Sequence, residues 1–175
     1  MTEESAEESP NWFNDPPRRR VGTLALILRG SQLMLVNRPD KITVAQWGLP
    51  GGSAGPDEHP RRALSRTLDE RLGLRVTPGR WLAVDYVPAT PGKHAEGTNW
   101  VYEVQLPGHI EPVINENSGF GDVRWVEIAA VGELAVDHAL RRIEQSLRAA
   151  GTGQTAELYV GIPVRDIGPG TVPVS

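Results

Sequence analysis

"GGSAGPDEHPRRALSRTLDERLGL", residues 51–74, decides how this chain is read. Leu64, Leu68 and Leu72 recur at i, i+4 and i+8, which places them on one apolar stripe of an α-helix. Asp57 and Glu58 stand early, where acidic groups suit a helix N-terminus, and Pro60 is tolerated in a first turn. Gly73 supplies a C-cap, so the spacing predicts a helix beginning near Asp57 and ending at Gly73. Ahead of it, "ITVAQWGLPGGSAGPDEHP" reads as a loop, with glycines at 51, 52 and 55 and prolines at 50, 56 and 60. The segment GGSAG also satisfies G-x-S-x-G. A nucleophilic serine needs a strand running straight in and a helix straight out, and Pro50 and Pro56 oppose both, so Ser53 is set aside.

Outward from this core, "VGTLALILRGSQLMLVNRP" gives two β-rich runs around Arg29–Gln32, a hairpin. "RWLAVDYVPAT" and "NWVYEVQLP" read as strands joined by the polar "PGKHAEGT", and "VRWVEI" as a further short strand. "VGELAVDHALRRIEQSLRAAG" is a long amphipathic helix with Gly151 as its stop. "ELYVGIPV" is left as a last strand or an ordered extension. Strands interleaved with two separated helices predict an α/β sandwich with a mixed sheet. Trp47 and Trp81 read as core residues, with a base-stacking pocket as the alternative, and Trp125 as core.

Composition bounds the rest. The 175 residues suit one domain, with 39% hydrophobic and 23% charged residues. A net charge of −4 argues against a general nucleic-acid binder and leaves a local phosphate pocket open. There are no cysteines, which excludes thiolate catalysis and cysteine zinc sites. His59, His94, His109 and His138 have no metal-ligand spacing among them and read as surface residues. No apolar run approaches the roughly 20 residues of a membrane span. Residues 1–17, rich in glutamate and proline, read as a disordered acidic tail without a secretory h-region, which makes a cytoplasmic protein the expectation. Arg18, Arg19 and Arg20 read as a solvated basic flank to a domain spanning 18–167, and 168–175 as a flexible tail.

The opening stretch resembles the Nudix box, G-x5-E-x7-R-E-U-x-E-E-x-G-U, where U is a bulky aliphatic residue. Gly52, Glu58, Arg66, Leu68, Glu70, Gly73 and Leu74 fit, "QWGLPGG" matches the usual approach, and the likeness covers about residues 20 to 150. The resemblance implies a Nudix-type α/β/α sandwich and water attack on a diphosphate linked to another moiety, such as a nucleoside. It implies Mg²⁺ or Mn²⁺ held by Glu70 with Glu58, a carbonyl near Gly52, and Glu116 or Asp122 from a later loop. Arg66 would orient Glu70. Family members are often dimers, so a homodimer is a further expectation.

Two positions depart from the pattern: Thr67 and Arg71 stand where glutamates belong. Carboxylates at i, i+3 and i+4 share one helix face, and here that face carries Thr67, Glu70 and Arg71. Asp69 projects about 100° from Glu70 and cannot substitute. A guanidinium beside a cation opposes metal binding, which predicts a weakly held ion. Because Mg²⁺ often needs only one or two protein carboxylates, an active enzyme remains the first reading. In it, Arg71 contacts phosphate and Trp47 the substrate. The rival is a lapsed Nudix-fold ligand-binding or regulatory protein. The box offers no general base.

Overall fold

A computed structural model describes residues 11–39 and 47–168. The chain forms β1 (Arg20–Arg29), β2 (Gln32–Asn37), β3 (Trp47–Gly48), β4 (Gly51–Ser53), α1 (Pro60–Leu72), β5 (Trp81–Val87), β6 (Gly97–Val104), β7 (Asp122–Glu127), α2 (Asp137–Thr152), β8 (Ala156–Tyr159) and β9 (Ile162–Pro163). The β1–β2 hairpin pairs only near its tip, at Leu28 with Leu33 and Arg29 with Gln32. The two strands then splay. β1 takes β6 in parallel and β4 antiparallel, while β2 takes β3 and β7, both antiparallel. The path β3–β2–β1–β6–β5–β8–β9 includes a second parallel pair, β5 with β8, so the sheet is mixed, as the sequence predicts.

β1 is central because both of its faces are apolar. Ala25 and Ile27 join Leu64, Leu68, Leu72 and Tyr102 in a core beneath α1. Leu26, one residue out of phase, joins Leu82, Val101, Ile143 and Leu158 in a second core beneath α2. All three α1 leucines are fully buried, and each stabilises the fold by about 2 kcal/mol of transfer free energy. The sandwich therefore has a helix on either face of one sheet. Among the described residues no helix is long and apolar enough to cross a membrane.

Several boundaries differ from the sequence reading. α1 begins at Pro60, not Asp57, because His59 is extended and serves as N-cap, its Nδ1 accepting from the Arg61 N–H at 3.2 Å. α2 runs past Gly151 to Thr152; Gly153, at φ 75°, is the left-handed cap. The long helix expected from Val131 starts only at Asp137, after a 3-10 segment over Ile128–Glu133. The loop before the box contains β3 and β4, and residues 42–46 of it lie outside the described residues. The final stretch is two strands, not one. Trp81 is 37% exposed, resting edge-on against Trp100, and Trp125 is half-buried with the Arg29 guanidinium over its ring. Arg20 is no solvated flank: it opens β1 and donates to Asn99 Oδ1 at 2.8 Å, while Arg19 pairs with Glu96 at 2.7 Å. Of the tails expected at 1–17 and 168–175, residues 1–10 and 169–175 fall outside the described residues, while residues 11–17 include a turn in which the Asp15 N–H bonds to the Asn11 carbonyl at 3.0 Å.

Candidate functional site

Arg66 is the knot of the site. Its Nε and Nη2 donate to the two carboxylate oxygens of Glu58 at 2.8 Å, and Nη1 donates to Glu70 Oε2 at 3.0 Å. Nη2 also reaches the Ser53 carbonyl at 3.3 Å, so one guanidinium ties β4, the 55–58 turn and α1 together. Glu58 lies outside the helix because Pro60 starts it, and its carboxylate accepts the Gly55 N–H at 2.8 Å. The Arg66 fork, helped by that N–H, holds the Glu58 carboxyl at about 2.

The two departures from the box occupy different surroundings. Thr67 is 2% exposed and fills the space beneath Gly52, where an added Cβ would meet Thr67 Oγ1 at 2.8 Å and Cγ2 at 2.9 Å. The close approach of β4 to α1 thus requires glycine at 52. Arg71 turns the other way, with its Cζ 5.1 Å from the centroid of Phe120. Arg38, at the end of β2, approaches the same ring at 5.5 Å and donates to the Gly51 carbonyl at 3.3 Å. Asp69 projects away, to Arg75 at 3.4 Å.

The loop after β6 reaches α1 because the last carbonyls of a helix lack intrahelical donors. The Val113 N–H bonds to Leu72 O at 2.9 Å and the Asn115 N–H to Arg71 O at 3.0 Å, while the Asn115 side-chain amide donates to Glu70 O. Glu116 follows on this loop, exposed to solvent. Asp122, at the start of β7, bonds to its neighbour's Val123 N–H and to Arg124, each at 2.8 Å. Among the described residues no group of three or more His, Cys, Asp or Glu side chains gathers as a metal site, so Glu58, Glu70 and Glu116 form no such cluster. With Glu70 bonded to Arg66 and Arg71 beside it, the donor set does not fit a resident divalent ion.

A cavity of about 120 Å³ lies between the start of α2 and β1–β3, lined by Leu24, Arg38, Trp47, Leu49, His138 and Arg142, and it shares Arg38 with the Phe120 cluster. Trp47 is 5% exposed and carries the Arg124 guanidinium 4.6 Å from its ring. Strand alternation puts Asn37 on the same face, opposite Trp47; its Oδ1 is buried with no hydrogen-bond partner among the described residues. Arg142 itself is held by the fully buried Asp85 at 2.6 Å.

Sequence reading missed Arg38, Asn37, Phe120, Asn115 and the Asp85–Arg142 pair. The motif that singles out Arg66 says nothing of partners 30 to 50 residues away; the one hint was the polar "NR" ending an apolar strand.

Against known proteins, the NUDIX domain family matches residues 17–147. The RNA pyrophosphohydrolase of Acidiphilium cryptum is 28% identical over 141 residues, covering 69% of this chain and 82% of that one. The CTP pyrophosphohydrolase of Escherichia coli is 40% identical over 60 residues, 34% of this chain and 44% of its own length. The crystal structure of a MutT NUDIX hydrolase from Burkholderia pseudomallei superposes with a TM-score of 0.61 at 25% identity, over 74% of this chain and 98% of that one. With the box spacing intact around Arg66, the sandwich in place and the family matched over most of its length, the chain belongs to the Nudix hydrolase family.

Proposed function

We propose that this protein is a pyrophosphohydrolase acting on a nucleoside diphosphate derivative. Water adds to phosphorus, the bridging P–O bond breaks, and two phosphate products leave. The carrying observation is the three-way bonding of Arg66, which fixes Glu70 and Glu58 in the box arrangement; the cavity lined by Trp47, Arg38 and Arg142 would take the nucleoside. Trp47 would contact the base, and the buried Asn37 carbonyl would accept from a ring N–H or amino group. Arg71 would meet the phosphates. Arg66 acts on Glu70 as a positioning group, and Glu70 is the one box carboxylate at hand for the reacting phosphate. Mg²⁺ or Mn²⁺, with only Glu70 and backbone near Gly52 to receive it, would be weakly bound and would arrive as counter-ion to the substrate. The relative named RNA pyrophosphohydrolase makes a 5′-triphosphorylated RNA a necessary comparison; the net charge of −4 favours the free nucleotide.

The second reading, a binding protein with lapsed turnover, is favoured by one observation: Thr67 is packed as a spacer where the family carries an acid. A panel of nucleoside diphosphate derivatives and 5′-triphosphorylated RNA, assayed for phosphate release with Mg²⁺ or Mn²⁺, separates the two. Turnover that falls at least about 100-fold in Glu70→Gln is expected for the enzyme. No wild-type turnover, with activity gained by Thr67→Glu plus Arg71→Glu, would establish the lapsed protein instead.

A further inference from the structure

We propose that Arg71 and Arg38, gathered on the ring of Phe120, form a guanidinium grip for a diphosphate and supply the positive charge for which Nudix sites use metal ions. The proposal rests on the reading of this site as a diphosphate site and asks how such an anion is held.

Arg71 makes no ion pair with a carboxylate among the described residues; its neighbour Glu70 is bonded to Arg66 instead. Stacking on an aromatic face keeps a guanidinium planar and leaves its N–H donors at the edge, the part that forks onto phosphate oxygens. Phe120 is a fixed platform: it is 7% exposed, its N–H bonds to Ser118 Oγ at 3.1 Å, and the next N–H, of Gly121, bonds to Asn37 O at 2.9 Å. Arg38 reaches from that platform to the Gly51 carbonyl, so the grip stands at the glycine strand of the box. Both arginines are thus anchored by the elements that build the site. Among the described residues no acidic cluster forms, and a guanidinium stands where the box carries a carboxylate: a cation that is part of the chain replaces a group that recruits one.

The experiment is titration calorimetry of the full chain with inorganic pyrophosphate in EDTA at moderate salt. Wild type is expected to bind without metal, and Arg71→Gln to bind at least about tenfold more weakly, the loss of one charge-assisted pair. Arg75→Gln, on the same helix end but facing Asp69, is expected to change binding less than about twofold. Should Arg71→Gln fail to fold by circular dichroism, Arg71→Lys, which keeps charge and loses the fork, is expected to weaken binding severalfold. Wild-type binding that appears only when Mg²⁺ is added overturns the proposal. So does Arg71→Gln, or in its place Arg71→Lys, binding as tightly as wild type, or no binding under either condition. Metal-dependent turnover with no binding in EDTA would sink this inference and leave the hydrolase reading standing. Binding in EDTA without turnover of any substrate would do the reverse.

Discussion

Glu58 shows how a single residue's charge state is fixed by its neighbours. The Arg66 fork holds its carboxyl at about 2, below the ordinary carboxylate value of 4.5. Because the folded value is depressed, the ionised group favours the folded state, fully so above about pH 4.5. That contribution fades as pH falls from about 4.5 towards 2. Urea melts at stepped pH are expected to show a shallower acid slope in Glu58→Gln than in wild type; identical slopes would separate Glu58 from acid stability. Thr67 is the opposite case, a residue defined by volume. Its packing under Gly52 leaves no room for a Cβ on the facing strand. Arg66, Glu58 and Glu70 were legible in the sequence because their spacing is local. The destination of Arg71 was not, since Phe120 reaches it through the fold of a distant loop.

At the scale of elements, α2 is fastened to the sheet by charge as well as by its apolar face. Arg142 Nε meets Asp85 Oδ2 at 2.6 Å, and Asp85 Oδ1 accepts the Gly161 N–H at 2.9 Å, so one buried carboxylate joins α2, β5 and the β8–β9 turn. Removing it leaves Arg142 buried without its anion. Asp85→Ala is expected to cost about 3–5 kcal/mol in denaturant unfolding, and a loss below about 1 kcal/mol would show that the pair adds little. The apolar period of both helices was legible, their ends less so. Gly151 reads as the stop in the sequence, but the left-handed cap forms two residues later, at Gly153. β3 and β4, two and three residues long, are too short to leave an alternating pattern.

For the molecule as a whole, β1 divides two cores, and each helix closes one of them. The family match ends at residue 147, yet the second core continues beyond it. β8 pairs in parallel with β5 from Ala156 to Tyr159, and Leu158 is 1% exposed within that core. A chain ending after Gly153 is expected to lose at least about 2–5 kcal/mol of stability, the range for emptying one large buried side chain. Unchanged thermal melting would show that β8 and β9 are an accessory. The fold class was legible because alternation and helical periods are properties of neighbouring residues. The splaying of the β1–β2 hairpin into two partnerships was not, being decided by distant strands, as where Gln32 of β2 pairs with Glu127 of β7.

The Asp85 bridge also makes the protein its own gauge. The Gly161 amide hydrogen is held by the carboxylate that holds Arg142, and Arg142 lines the cavity beside Trp47. Whatever fills that cavity and draws on the Arg142 guanidinium alters the anchor of a backbone amide in the β8–β9 turn. Deuterium uptake at Gly161 therefore reads occupancy of the cavity through the Asp85 carboxylate.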